Sequence, residues 1–296
     1  MVTIRKIIID TDIGDDIDDA LAIALALNSP ELDLVGLTTV YRNTPIRTKL
    51  ALQLLKAYGR LDIPVATGIG KPLFAETNID DIPCQWSDEY HDIGLNSDQH
   101  AIDFLIEQVR LDPEITIVAI GPLTNIACAV MKAPEVMKQA NIVMMGGMYS
   151  AYYPEWNIVC DPEAAAIVFN AGLRLTMVGL DVTLKCRLNE ADVEKIKRAS
   201  QSEVSFLSRL LTQWMDSSKH LPILHDPLTV AYVSHPELLK VAPKRMLVEC
   251  KGEHTRGMTV EEQDVFFGRP TETNMLVAVD VLRDQFVDMF MQRLFK

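Results

Sequence analysis

The sequence predicts an α/β fold with a mostly parallel central sheet flanked by helices, of the open doubly wound type. Apolar runs of strand length alternate along the chain with helical segments, which is typical of right-handed βαβ units. The first run, Ile-Ile-Ile at 7–9, is apolar at consecutive positions, as in strands buried on both faces of a parallel sheet. The 296 residues suffice for one large core, and we predict a single domain over 1–296.

The individual elements follow from local signals. Residues 20–27 are strong helix formers, and Pro45 and Gly59 mark the start and end of the next helix. We predict strands at 7–9, 32–40, 64–68, 115–120, 141–147, 174–180, 246–249 and 274–281. We predict helices at 20–27, 45–58, 99–109, after 161, in one or two pieces over 189–218, and at 286–295. The amphipathic 189–218 segment defines a helical insertion at about 187–222, and the long irregular stretch 72–97 is of a length that is often functional.

Charge and composition exclude several classes of protein. The formal net charge of −13 argues against a protein that grips nucleic acid or an anionic membrane. No apolar run reaches membrane-spanning length, and the first strand begins too early for a signal peptide to precede it. The five cysteines are scattered without a Cys-x-x-Cys pair, which favours free thiols. We therefore expect a cytoplasmic protein.

Acidic residues are concentrated directly after the first strand. This turn precedes a helix, and open α/β sheets place their ligands at such turns. Helix capping and the helix dipole account for Asp18 and Asp19, but not for Asp10 and Asp12. Six carboxylates so close together repel one another, and a hard cation such as Ca²⁺ or Mg²⁺ would relieve the repulsion. The six are Asp10, Asp12, Asp15, Asp16, Asp18 and Asp19.

Two other interpretations of these acids fail on spacing. An EF-hand loop that begins at Asp10 requires Asp at 14, Gly at 15 and Glu at 21, whereas the chain has Gly14, Asp15 and Leu21. A phosphatase of the haloacid dehalogenase type also has an Asp-x-Asp pair at a strand end, but Gly14 does not fit its pattern and no phosphate-binding Lys or Arg motif is evident.

The acidic segment resembles the signature of the nucleoside hydrolases, the inosine–uridine-preferring family, whose usual form is Asp-x-Asp-Pro-Gly-x-Asp-Asp-Ala. The match requires two extra residues inside the loop, and Ile13 stands where Pro is usual. The matching residues are Asp10, Asp12, Gly14, Asp18, Asp19 and Ala20.

Four further segments are similar to the family in the same order along the chain. They are Thr-Thr-Val-Tyr-Arg-Asn at 38–43, Gly-Pro-Leu-Thr-Asn at 121–125, Glu-Trp-Asn at 155–157 ahead of Asp-Pro-Glu-Ala-Ala at 161–165, and His-Asp-Pro at 225–227. Arg42 replaces the family's Gly, and Trp156 replaces its Phe. The family's His-Gly-x-x-Gly-Leu is only partly kept at 91–95.

The resemblance implies a Ca²⁺ ion that holds a water molecule and the ribose 2′- and 3′-hydroxyls. Asp12 would be both metal ligand and general base, and Asp10 adjoins the metal site. The remaining metal ligands would be Asp19, Thr124 through its carbonyl, and Asp226. The substrate-binding residues would be Asp18, Asn43, Glu155, Asn157 and Trp156. His225 is the candidate proton donor to the leaving base, ahead of His91 and the tyrosines at 152–153.

The resemblance also implies the reaction, which is hydrolysis of the N-glycosidic bond of ribonucleosides to free base and ribose in nucleoside salvage. A homodimer or homotetramer is implied as well. The alternative is a nucleoside- or ribose-binding protein on the same fold with impaired catalysis, which Ile13, Arg42 and the lengthened loop would explain. The sequence leaves open the purine or pyrimidine preference. It also leaves open which of Asp15, Asp16, Asp18 and Asp19 face the site.

Overall fold

The computed structural model describes residues 4–263 and 272–295, and ten strands lie within these ranges. Eight of them form the central sheet and two form a separate antiparallel pair. The strands are β1 (Arg5–Thr11), β2 (Leu32–Thr39), β3 (Val65–Thr67), β4 (Thr116–Ala119), β5 (Asn141–Met145), β6 (Arg174–Val178), β7 (Leu239–Lys244), β8 (Met246–Val248), β9 (Thr259–Glu261) and β10 (Met275–Val281).

Twelve α-helices lie in the same ranges, and none of them is long and apolar enough to cross a membrane. The helices are α1 (Asp18–Leu27), α2 (Thr44–Ala57), α3 (Ala101–Leu111), α4 (Thr124–Lys132), α5 (Pro134–Met137), α6 (Trp156–Cys160), α7 (Pro162–Asn170), α8 (Leu180–Thr183), α9 (Glu190–Lys197), α10 (Ser202–Ser218), α11 (His225–Ser234) and α12 (Arg283–Leu294). In the predicted irregular stretch 72–97, only a single 3₁₀ turn forms, at Asp88–Tyr90.

The sheet is parallel except at one edge. Its strand order is β3-β2-β1-β4-β5-β6-β10-β7, and β7 pairs antiparallel with β10. This arrangement confirms the predicted mostly parallel sheet flanked by helices, although β7 was not predicted. The chain order of the strands reverses between β1 and β4, and doubly wound sheets bind ligands in the crevice at this point.

The isoleucine run in β1 explains how both faces of the sheet are covered. Side chains alternate between the two faces of a strand, so Ile7 and Ile9 pack in one apolar core and Ile8 packs in the other. The first core includes α1, α2, α11 and α12, and the second includes α3, α4 and α7. All three isoleucines are fully buried, and each such burial contributes about 1.5–3 kcal/mol.

Two helices occupy the region of the predicted insertion. Asn189 caps α9 in a reciprocal arrangement with Asp192, in which each side chain accepts a backbone N–H of the other. In α10, the apolar face packs in the core on the α1 and α2 side of the sheet through Leu207, Leu211 and Trp214. The region of the predicted insertion therefore contains two helices, and α10 packs into the core beside α2.

A buried ion pair joins the last helix to the loop before β2. Arg293 donates to both carboxylate oxygens of Glu31 at 2.7 Å, and these hydrogen bonds lower the pKa of Glu31 to about 2. We expect Arg293→Met to lower the free energy of unfolding by about 1–3 kcal/mol at pH 7. A carboxylate whose pKa is lower in the folded state than in the unfolded state stabilises the fold at pH values above its unfolded-state pKa. This stabilisation is lost as the pH falls through the folded-state pKa.

The difference in stability between wild type and Arg293→Met should therefore be full above pH 4.5 and shrink towards pH 2. Urea unfolding of both proteins across this pH range measures it. A difference that is independent of pH would contradict the assignment of the stabilisation to this ion pair.

Candidate active site

Three buried carboxylates from distant parts of the chain meet at the C-terminal edge of the sheet. Asp18 and Asp19 begin α1, and Asp226 lies in the first turn of α11. One carboxylate oxygen from each lies within 4.8 Å of the others. The backbone N–H of Asp226 donates to Asp18 Oδ2 at 3.4 Å. The N-termini of two helices thus point at one cluster of negative charge, which their dipoles favour.

Helix capping does not explain the acids of α1. Ile17, not Asp18, occupies the N-cap position, and no side chain there accepts a capping hydrogen bond. Asp19 Oδ1 accepts a hydrogen bond from the hydroxyl of Thr11 in β1. Each carboxylate is therefore held by a neighbour from another element and is not used to cap its own helix.

Burial and mutual repulsion disfavour the charged form of these carboxylates. The pKa values of Asp18, Asp19 and Asp226 are raised well above 3.8, first by desolvation and then by neighbouring aspartates. The pKa of Asp12 rises to about 6, again mainly through burial, against the opposing effect of the Arg47 charge. Without a cation, these carboxylates are therefore harder to ionise than exposed aspartates.

The chemistry of this donor set fits a divalent cation. Oxygens that share one Ca²⁺ at 2.3–2.6 Å are at most about 5 Å apart, and the three clustered carboxylate oxygens meet this condition. All the donors are carboxylate oxygens, which hard cations prefer.

Asp10 is fixed at the end of β1 by one strand and one helix, β2 and α4. Its Oδ1 accepts hydrogen bonds from Thr38 Oγ1 in β2 at 2.5 Å and from Asn125 Nδ2 in α4 at 2.8 Å. Its Oδ2 is buried without a hydrogen-bond partner among the described residues, and burial raises the pKa of Asp10 to about 7. Asp10 therefore lies at the strand-order reversal with one carboxylate oxygen lacking a hydrogen-bond partner among the described residues.

A cavity of about 1030 Å³ opens over the carboxylates. It is at the large end of the range for small-molecule sites. Most of the residues predicted for the site line it, together with apolar and aromatic side chains. Predicted residues in the lining are Asp12, Asp18, Asp19, Glu155, Trp156, Asn157, His225 and Asp226.

The Glu-Trp-Asn segment at 155–157 also lines the cavity. Glu155 caps α6 by accepting from the backbone N–H groups of Asn157 and Ile158, and it also accepts from Gly147. Asn157 Nδ2 donates to the carbonyls of Ile120 and Met145 at 3.0 and 3.2 Å, which leaves its Oδ1 as the free acceptor. Trp156 is 55% exposed at the cavity rim, so it contributes little to the core.

Not every predicted residue reaches the cavity wall. Among the described residues, Asp10, Asn43 and Thr124 are not part of the lining, and neither is His91. Asn43 Oδ1 caps α2 through Ile46 N, and the Thr124 hydroxyl donates to Asp161 at 2.7 Å. His91 lies at the surface beside Asp92.

The structure also separates the four acids whose orientation the sequence left open. Asp18 and Asp19 join the buried cluster, whereas Asp15 pairs with Arg47 at 2.6 Å and with Arg42 at 3.7 Å. Asp16 lines the cavity, and its backbone carbonyl accepts from Gln85 Nε2 at 2.7 Å. The two extra residues of the loop thus place Asp15 and Asp16 outside the cluster.

His225 is half-buried at the cavity wall. Its Nδ1 shares a hydrogen bond of 2.7 Å with Thr183 Oγ1, which leaves Nε2 as the second ring nitrogen. Burial and the nearby Arg187 charge lower the pKa of His225 to about 4, so the imidazole is neutral at neutral pH.

Sequence reasoning missed several side chains that hold the site. Thr11 and Thr38 lie within strands, and Asn125 follows Thr124 in the family-like Leu-Thr-Asn segment. Gln85 covers the acidic loop from the segment 72–97 and is fully buried. Asn125 and Thr38 stood in family-like segments and Thr11 stood inside the Asp-x-Asp signature, whereas Gln85 had no signal in the sequence.

A close contact at Gly121 gives a test of how tightly Asp12 is placed. A methyl group on Gly121 would lie 3.0 Å from both Asp12 N and Asp12 Oδ1, and 2.7 Å from Val40 Cγ1. We expect Gly121→Ala to lower kcat by roughly 10- to 100-fold, because displacements of about 1 Å in a catalytic group have effects of this size. Steady-state kinetics measures the change, and Gly94→Ala, where an added methyl meets nothing within 4 Å, is the matched control. Equal kinetics in the two variants would contradict the prediction.

Comparison with known proteins identifies the family of this chain. A family model described as inosine-uridine preferring nucleoside hydrolase matches residues 7–288. The pyrimidine-specific ribonucleoside hydrolase RihA of an Enterobacter species is 36% identical, with 97% of each chain covered. Its counterpart in Salmonella enteritidis is 38% identical at the same coverage.

Solved structures are similar over the same extent. A plant nucleoside hydrolase, PpNRh1, superimposes with a TM-score of 0.86 at 34% identity, covering 98% of this chain and 99% of its own. A purine-preferring ribonucleoside hydrolase from Gardnerella vaginalis gives 0.83 at 31% identity and 98% coverage of both chains. The chain therefore belongs to the inosine-uridine preferring nucleoside hydrolase family and is a hydrolase of the glycosidase type.

Proposed function

We propose that this protein hydrolyses the N-glycosidic bond of ribonucleosides to free base and ribose, with Ca²⁺ as its metal. The observation that carries the proposal is the convergence of Asp18, Asp19 and Asp226 on one point of a cavity that Glu155 and Asn157 also line. The aspartates supply charge for a cation, and Glu155 and Asn157 supply polar groups for a sugar. A nucleoside needs both, because its reacting carbon lies between its ribose hydroxyls and its base.

The metal would be held by Asp12, Asp19, Asp226 and the carbonyl of Thr124, with Asp18 and Asp10 beside them. A divalent ion bound there would orient the ribose hydroxyls and lower the pKa of the water that it binds. Asp18 lies close enough to share the cation or to accept a hydrogen bond from ribose.

Asp12 is the proposed general base. In the cation-free protein, burial raises the pKa of Asp12 to about 6, and a bound cation would lower that pKa by favouring the carboxylate form. In this role Asp12 accepts the proton of the attacking water, which contributes about 10²–10⁴ in rate. Its backbone is held at the end of β1, where the strand order reverses, so the carboxylate is aimed into the cavity.

The remaining groups act on the sugar and the leaving base. Cleavage of a glycosidic bond develops positive charge on the sugar, which the surrounding buried carboxylates stabilise. Asn157 Oδ1 is the proposed acceptor for a ribose hydroxyl. A neutral His225 can donate a hydrogen bond from Nε2 to the departing base when Thr183 donates to Nδ1, and Tyr152 and Tyr153 at the rim are secondary candidates.

A nucleoside panel with release of reducing sugar as readout tests the proposed function. Inosine, adenosine, uridine and cytidine are assayed in the presence of Ca²⁺, with the 2′-deoxynucleosides as controls for the ribose contacts. We expect free ribose from at least one ribonucleoside and much slower release of deoxyribose. Binding of ribonucleosides without release of sugar would instead favour the alternative of a catalytically impaired binder.

The same panel addresses base preference. The relatives named above include a pyrimidine-specific and a purine-preferring enzyme, so their names do not indicate one base preference for this chain. The homodimer or homotetramer implied by the resemblance stays a prediction, which light scattering in solution measures.

A further inference from the structure

Arg47 is a fully buried cation directly behind the acidic loop. It lies in the first half of α2, with 1% of its surface exposed. Its Nε donates to the carbonyl of Tyr41 at 2.8 Å, and its Nη2 donates to Asp15 Oδ2 at 2.6 Å. Its Nη1 donates to the carbonyls of Asp12 and Ile13, the latter at 2.9 Å. All three guanidinium nitrogens therefore donate hydrogen bonds, either to the loop after β1 or to the turn after β2.

These contacts join the loop after β1 to the turn after β2. The turn holds two non-glycine residues with left-handed backbone conformations, Tyr41 at φ 67° and Arg42 at φ 54°. Such conformations are costly for residues with side chains and persist only where surrounding contacts fix them. Besides Arg47, the N–H groups of Tyr41 and Arg42 donate to the carbonyls of Ile69 and Gly70. The guanidinium thus holds a strained turn and the Asp12 peptide in one unit.

The choice of arginine has a cost, because a buried cation behind a cation site repels the cation. An apolar side chain would avoid that repulsion but would leave the carbonyls of Tyr41, Asp12 and Ile13 without these donors. What only arginine offers is a planar fork of five N–H donors with fixed angles. Here that fork reaches the backbone of the proposed general base and of the residue next to it.

We propose that Arg47 is a positioning residue for the hydrolysis, which fixes the backbone of Asp12 relative to the proposed cation site and acts on turnover through it. This inference rests on the proposed function. Arg47 does not line the cavity, so it does not touch the substrate. Its effect should appear in kcat and in cation affinity, since Asp12 serves both.

The test compares Arg47→Lys, Arg47→Met and Arg293→Met. Lysine keeps the charge but loses the fork, and Arg293 is a second buried arginine with a bidentate acidic partner far from the site. We expect both Arg47 variants to lose about 10- to 100-fold in kcat and in Ca²⁺ affinity. Arg293→Met should lose stability while its kcat and Ca²⁺ affinity stay at wild-type values. Calcium titration followed by thermal unfolding gives the affinity independently of hydrolysis.

The charge effect and the positioning effect have opposite signs in this experiment. If Arg47 acted only as a charge, Arg47→Met would bind Ca²⁺ more tightly and Arg47→Lys would match wild type, which would overturn the proposal. If Arg47 were merely structural, unfolding temperatures would fall while kcat per folded molecule stayed constant, and this would overturn it too. Restoration of kcat in Arg47→Ala by added guanidinium, with no effect on Arg293→Ala, would support it.

Failure of the underlying function can be told apart from failure of this inference. A wild-type protein that binds Ca²⁺ but releases no sugar would refute hydrolysis. The calcium affinities of the Arg47 variants would still measure whether this side chain positions Asp12.

Discussion

Replacement of Asp12 by asparagine is expected to lower kcat by about 10²- to 10⁴-fold, the range for loss of a general base. Asparagine keeps the shape of the side chain but cannot accept a proton from water. The fold should persist, because burial and, to a smaller extent, neighbouring carboxylates already disfavour the charged form of Asp12 and raise its pKa. Removing a repelled charge from such a cluster costs little stability in the cation-free protein and can increase it. Single-turnover kinetics on the best ribonucleoside of the panel measures the loss.

The control for this prediction is Asp284→Asn. Asp284 is an exposed carboxylate in the first turn of α12, paired with Arg283, and its replacement should leave turnover unchanged. Thermal unfolding of both variants without Ca²⁺ checks that the fold is retained. An Asp12→Asn protein with near wild-type kcat would remove Asp12 from the reaction.

Removal of the divalent cation is expected to abolish hydrolysis and to lower the unfolding temperature. The clustered carboxylates of Asp18, Asp19 and Asp226 are buried and repel one another, so a cation between them stabilises the folded state. A ligand present at 100 times its dissociation constant stabilises by about 2.7 kcal/mol when it binds only the folded chain. Dialysis against a chelator, followed by Ca²⁺ titration with thermal unfolding and sugar release in parallel, measures both effects.

Asp226→Asn separates cation binding from other effects of a chelator. This variant should bind Ca²⁺ much more weakly, show little unfolding shift on Ca²⁺ addition, and hydrolyse slowly even at high Ca²⁺. Mg²⁺ is the comparison ion, since it demands stricter octahedral geometry than Ca²⁺. Full activity of the wild type after exhaustive chelation, with no change in unfolding temperature, would exclude an exchangeable metal.

Much of the fold could be predicted because it depends on patterns that are local in sequence. Apolar runs and the helices between them fix the alternation of strands and helices, and the handedness of βαβ units leaves few topologies. The antiparallel strand β7 was missed because its burial alternates weakly and Pro243 interrupts it, a residue that reads against a strand. An edge position tolerates that proline because only one side of the strand is paired.

The site was predictable only where acids stood in motifs. Family resemblance predicted that Asp19 and Asp226 share a metal site, but it assigned Asp18 to the substrate and did not indicate the side chains that support these acids. Arg47 reads as an ordinary helix residue until α2 is packed against the turn at Tyr41. Asn43, in contrast, stands in a family-like motif, and the structure shows that its side chain caps α2. Long-range hydrogen bonds of this kind leave no periodicity in the sequence.

The contact between the acidic loop and the segment 83–86 has a consequence for how such chains can vary. A side chain on Gly14 would collide with Pro83 at 2.7 Å, and Gln85 bonds to the loop through its backbone N–H and its side chain. An insertion or deletion in either segment would therefore disrupt the contacts that position the other segment. Insertions in the acidic loop should be matched by insertions in the segment 83–86, and a design that transplants one segment needs to include the other.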